Sequence, residues 1–99
     1  MTKNGLPPIH PGAFVAEILA ELGLTQAAFA RRIGVSAMRV SHVVNGRRPV
    51  TAELALRFAQ AFRQTPQYWL NLQAAYDLKT ASARHGRQIA AVRPIAKAA

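Results

Sequence analysis

The stretch Gln26–Asn45, QAAFARRIGVSAMRVSHVVN, decides how the chain folds. It reads as two short helices broken by a tight turn. Thr25 stands just before the first, where its hydroxyl can accept from a free backbone N–H of the opening turn. Phe29, Ala30 and Ile33 recur at helical spacing and give that helix one apolar face. Gly34 supplies the positive φ favoured just past a helix end. Val35 anchors the turn, Ser36 can cap the second helix, and Val40 and Val43 form its inner face. Ala30 is small enough for two helices to cross closely. Two helices joined by a short glycine-containing turn make a helix-turn-helix, whose second helix lies in the DNA major groove.

The outward side of that second helix carries the candidate chemistry. Met38 and His42 are four residues apart and stack on one face, with Arg39 beside them and Ser41 and Asn45 flanking. No core needs these side chains. An arginine can grip the O6 and N7 of guanine in a bidentate fork, and Met38 or Ala37 can touch a thymine methyl. His42 can donate to or accept from a base edge or a phosphate. Further on, Asn45-Gly46-Arg47-Arg48-Pro49 is a turn, and two arginines directly after a groove-reading helix are well placed to hold a phosphate strand.

Composition narrows the partners. Ninety-nine residues make one domain, and 51% hydrophobic content argues for a folded core. Thirteen Lys and Arg stand against four acids, a formal net charge of +9. Arg31, Arg32, Arg39, Arg47 and Arg48 occupy a segment with no acid, whereas Glu17 and Glu21 sit in the first helix. Such a footprint suits a phosphate polyanion and salt-sensitive binding. A membrane surface fits less well, because no helix combines basic residues with aromatic anchors. RNA is a weaker choice, since no sheet aromatics are available to stack unpaired bases. With no cysteine there is neither a disulfide framework nor a thiolate metal site. The opening MTKNGLPPIHPG lacks the apolar run of a signal peptide, so a soluble cytoplasmic, nucleoid-associated protein is expected.

The remaining segments read as support. Residues 1–9 are polar or proline-rich and expected to be an extended arm. Pro11 opens a helix striped by Phe14, Val15, Ile18, Leu19 and Leu22, and Gly23 ends it. His10 has no partner at metal-ligand spacing and reads as a cap or turn residue; no metal is expected. Thr51 caps a fourth helix from Ala52 to about Phe62, striped by Leu54, Ala55, Phe58, Ala59 and Phe62, with Glu53 in its first turn. Thr65-Pro66 opens a fifth by the same cap-then-proline device. Tyr68, Trp69, Leu72, Ala75, Tyr76 and Leu78 load this helix with more apolar surface than a small core needs, leaving a strip for a second copy or another partner. From about Ala81 the pattern dissolves, and residues 81–99 are expected to be a loosely ordered basic tail. That tail could touch phosphates, be ordered by a partner, or have no role. The domain proper is expected to span residues 10–80.

No enzyme constellation is present. The glycines lack phosphate-cradling spacing, and four acids are too few for a plausible carboxylate pair. Ser41 and His42 are adjacent in a helix and point apart, so they cannot serve as nucleophile and base. No cofactor is implied.

From about Leu6 to Lys79 the chain resembles the HigA-type antitoxins of the Xre (lambda-repressor-like) helix-turn-helix family. PPIHPG at Pro7–Gly12, LGLTQAAFARRIGVS at Leu22–Ser36 and VNGRRPVTAELALRFAQAF at Val44–Phe62 carry the resemblance. TPQYWLNLQAAYDL at Thr65–Leu78 is its most specific part. The resemblance implies an all-α, five-helix lambda-repressor-like domain, here with a flexible basic tail. It further implies a homodimer that binds a palindromic double-stranded operator, represses its own operon and neutralises a HigB-type mRNA-cleaving toxin. A stand-alone regulator without a toxin is the alternative. By position, Ala37, Met38, Arg39 and His42 match base-facing sites, and Gln26, Ser36, Asn45 and Arg47 match backbone-contacting sites. Ser41 and Arg48 join the backbone set as neighbours on the same helix and loop. Trp69, Leu72 and Tyr76 fall on the last helix, which supplies dimer contacts in such proteins. Two positions depart from the pattern. Ala13 replaces a common acid, and Arg63-Gln64 stands where a glycine usually follows the fourth helix, so one of the two must take left-handed backbone unless the helix ends differently.

Overall fold

Short polar side chains start most of the helices where the sequence places them. A computed structural model describes residues 7–96, and among these it contains five helices and no strand. They are α1 (Pro11–Leu22), α2 (Gln26–Ile33), α3 (Ala37–Val44), α4 (Ala52–Phe62) and α5 (Pro66–Ala90). Thr25 accepts from Ala28 N at 3.0 Å, Ser36 from Arg39 N at 3.1 Å and Thr51 from Leu54 N at 3.2 Å. Each bond satisfies one of the orphan donors of a first turn. His10 does the same for α1, its Nδ1 accepting from Gly12 N at 2.9 Å. Thr65 is the exception: Pro66 occupies the first turn as expected, but the threonine hydroxyl makes no capping bond. Its backbone carbonyl accepts from Tyr68 N instead.

Helix ends follow backbone handedness. Gly34 turns α2 into α3 at φ 76°, and its N–H returns to the last carbonyls of α2. Arg63 ends α4 at φ 58°, the single non-glycine with positive φ among the described residues. Of the two residues replacing the expected glycine, Arg63 therefore takes the left-handed conformation.

The core unites all five helices. Val15, Leu19, Phe29, Ala30, Ile33, Val40, Val43, Val50, Leu54, Ala55, Phe58 and Trp69 are buried together. Phe29 stacks on Phe62 with centroids 5.1 Å apart, and Trp69 meets Phe58 edge-on at 5.3 Å. Helices α1 and α2 cross at 101°, so neither can shield the other along its length, and α3, α4 and α5 close the remaining sides. No single helix among the described residues is long and apolar enough to cross a membrane.

Four sequence expectations change here. Leu22, assigned to the α1 stripe, is 58% exposed because the helix ends at that residue and points it past the core. Trp69, expected on a dimer surface, is fully buried within the monomer. Its ring fills the space between α4 and α5, and its Nε1–H donates to Gln64 Oε1 at 2.7 Å. Of the expected loose tail, Ala81 to Ala90 are instead helical, because α5 continues to Ala90 with one non-helical residue at His85, whereas residues 92–96 lack regular structure. Alanines, Arg and Gln favour helix there although most of these residues are exposed. The expected domain boundary at residue 80 accordingly falls inside a helix. Of the proposed 1–9 arm, residues 7–9 lack regular structure and the rest lies outside the described residues.

Candidate nucleic-acid interface

Helix α3 is held from behind by its valines. Val40 and Val43 are almost completely buried, which fixes the rotation of the helix and turns its other side outward. On that side Met38 is 67% exposed, and Ala37 is exposed beside it. An exposed methionine next to an exposed alanine serves no core. Arg39 and His42 are partly exposed on the same surface.

Position along the helix axis is set by Gly12. A Cβ there would overlap the Val43 carbonyl and crowd Val44, so α1 lies directly on the backbone of α3. Only glycine permits that approach. Composition and periodicity did not single it out; the Pro-Gly pair at the start of α1 was the available signal.

The loop after α3 is folded back on the helix. Arg47 N and Arg48 N both donate to the His42 carbonyl, at 2.8 and 3.2 Å. His10 leans on this loop: its ring lies against Gly46 and packs edge-on to Tyr76 at 4.9 Å. Burial pulls the His10 pKa below its ordinary value, outweighing the Arg48 backbone and Asp77, which act the other way. Beyond the loop, Val50 N donates to buried Gln73 Oε1 at 2.7 Å, and Gln73 Nε2 donates to Asp77 Oδ1 at 3.0 Å. Arg47 and Arg48 thus project, exposed, from a fixed backbone.

The other backbone-set residues surround α3 unevenly. Asn45 Nδ2 donates to Ser41 Oγ at 3.3 Å, one turn back on the same helix face. Ser36 is exposed, with its Oγ engaged in the cap, and Gln26 is part-buried on the first turn of α2. Leu72 and Tyr76, expected to make dimer contacts, stand apart on α5 and line a shallow groove with Pro8, Ile9 and Phe14.

Arg39 has a partner that the sequence reading did not foresee. Its Nη2 lies 3.1 Å from Glu53 Oε1 on α4. Arg57 donates Nε to Glu53 Oε2 at 3.1 Å and Nη1 to the Ile33 carbonyl at 2.6 Å. Hydrogen bonds from Arg39 and then Arg57 hold the Glu53 carboxyl below its usual range. The i,i+4 spacing of Glu53 and Arg57 was a visible signal, whereas the α3–α4 bridge was not.

A helix presented on its own buried valines, followed by a fixed basic loop, agrees with what comparison with other proteins returns. Residues 15–69 match the helix-turn-helix family. Over 96 residues the chain is 34% identical to antitoxin HigA-1 of Vibrio cholerae, covering 96% of this chain and 90% of that one. This chain belongs to the HigA-type antitoxins. Among solved structures of this kind, Pseudomonas aeruginosa antitoxin HigA with the higBA promoter is 40% identical, with a TM-score of 0.85 over 90% of this chain and 99% of that one. Antitoxin GraA in complex with its operator is also 40% identical, with a TM-score of 0.86 over 98% and 100% of the two chains. The five-helix architecture, without a strand among the described residues, is that of the HigA-type fold. Helix-turn-helix antitoxins are not a class of enzyme.

Proposed function

We propose that this antitoxin binds the operator of its own operon as a homodimer, represses transcription and neutralises a HigB-type mRNA-cleaving toxin. The observation that carries the DNA-binding part is the uncovered outer face of α3, bordered by Arg47 and Arg48 on a loop bonded back to His42. Ala37, Met38, Arg39 and His42 read base edges, and Gln26, Ser36, Ser41, Asn45, Arg47 and Arg48 follow the phosphates. Two copies related by a two-fold axis would set α3 into successive major grooves, about 34 Å apart, which calls for a palindromic site. Leu72 and Tyr76, partly exposed on α5, are the dimer contacts; Trp69 supports them from inside the core. Support for the operator comes from the HigA and GraA relatives, whose structures contain promoter or operator DNA.

Gel-shift titration on the chain's own upstream region tests the reading. Binding should exceed that to random duplex and fall steeply with salt. Arg39→Ala should cost about 1–3 kcal/mol at one base pair, while Arg47→Ala should weaken every duplex alike and lower the salt slope by about 1. Equal affinity for upstream and random DNA would remove the operator from the account. Sedimentation reports the dimer, and co-elution with the product of a neighbouring ribonuclease-like gene reports the toxin.

A further inference from the structure

Arg39 does not stand free in solvent, although it is placed to meet DNA. Its side chain is 34% exposed and Glu53, its partner on α4, is 54% exposed. The carboxylate of Glu53 is shared: one oxygen takes Arg39 Nη2 at 3.1 Å, the other takes Arg57 Nη2 at 3.0 Å. Arg57 is fastened in turn, through Nη1, to the Ile33 carbonyl at the end of α2. The chain of bonds therefore runs from the backbone of α2, through α4, to the tip of a side chain on α3. It spans the whole helix-turn-helix.

A guanidinium has five N–H donors in a rigid fork, and Glu53 engages one nitrogen. The remaining donors stay available for a guanine edge. A long arginine loses much rotamer freedom when a base immobilises it, and a carboxylate that already restricts the side chain lowers that cost. An acid beside a phosphate surface is otherwise unfavourable, because it repels the polyanion. We infer that Glu53 is a positioning residue for base recognition, holding Arg39 in the orientation in which it reads its base pair. This rests on the proposed reading of DNA by Arg39, and it makes Glu53 a determinant of specificity that touches no base.

The two roles open to Glu53 have opposite signatures. As a mere surface acid, its neutralisation strengthens binding to all duplexes equally. As a positioning residue, its neutralisation erodes discrimination at one base pair. The experiment uses the full chain, the best duplex it selects from a randomised pool, and every single base-pair variant of that duplex. Glu53→Gln, Arg39→Ala and the double variant are compared with the parent, with melting temperatures confirming that each is folded. The expected result is that E53Q lowers discrimination at the base pair sensitive to R39A by about two- to fivefold, the range for an exposed ion pair. Other positions should not respond, random-duplex affinity should hold or rise, and E53Q should add nothing in the R39A background. Unchanged discrimination in E53Q alongside its loss in R39A would overturn the positioning role alone. An R39A protein that discriminates as well as the parent would overturn the base reading beneath it.

Discussion

Trp69 shows how a single side chain can be assigned to the wrong environment from sequence alone. Its ring touches Phe58, Phe62 and Tyr68 and is fully buried in one copy of the chain. Trp69→Ala should therefore destabilise the monomer itself, by about 3–5 kcal/mol, as urea denaturation would measure. A loss of dimer with unchanged monomer stability would contradict this. His10 gives a pH signature of known sign. Only the neutral imidazole can accept from Gly12 N through Nδ1, and burial holds its folded pKa below the unfolded value. The unfolded chain thus binds more protons in that window, and stability rises with pH there. The His10 contribution should be intact above about pH 6.5 and be lost as pH falls through the folded pKa. His10→Asn, which keeps a capping acceptor without titrating, should flatten this part of the denaturation profile below about pH 6.5.

At the scale of helices, two junctions govern how α3 is presented. Where α1 crosses α3, Gly12→Ala would drive a methyl group into the Val43 carbonyl, and backbone on both sides leaves little room to yield. A cost of about 1–3 kcal/mol is expected from thermal denaturation, with weaker DNA binding because α3 must shift. Where α4 ends, Arg63 holds left-handed backbone at φ 58°. That conformation costs a non-glycine residue about 1–2 kcal/mol, while glycine carries an unfolded-state penalty of about 0.5–1 kcal/mol. Arg63→Gly should consequently stabilise the chain by roughly 0.5–1 kcal/mol, seen as a higher denaturant midpoint. Departure from the family pattern at this position was legible in the sequence, and it located the strain to within two residues.

Over the described residues the molecule is a five-helix domain with one helix longer than its core requires. Its extents of 58 × 29 × 21 Å reflect α5 running on past the other helices. Beyond Ala83 nearly every described residue is exposed, including Ile89 and Val92. Removing residues 84–99 should therefore leave the unfolding free energy within about 0.5 kcal/mol of the full chain, as chemical denaturation would show. The same truncation removes Arg84, Arg87, Arg93 and Lys97 from a chain of net charge +9. A basic extension of this kind can strengthen binding to any polyanion without contributing to the fold.

What the sequence determined by itself was local. Thr25, Ser36 and Thr51 cap because a short hydroxyl can reach an N–H three residues on, and Gly34 turns because left-handed backbone suits it. The valine spacing of α3 was enough to predict which side faces outward, since the period of an α-helix is known in advance. Tertiary structure decided the rest. Trp69 lies inside because α4 and α5 meet there, Gly12 is required because α1 rests on α3, and Glu53 reaches Arg39 across fourteen residues of chain. Periodicity reports the face on which a side chain lies. It carries no record of which distant segment will be packed against that face.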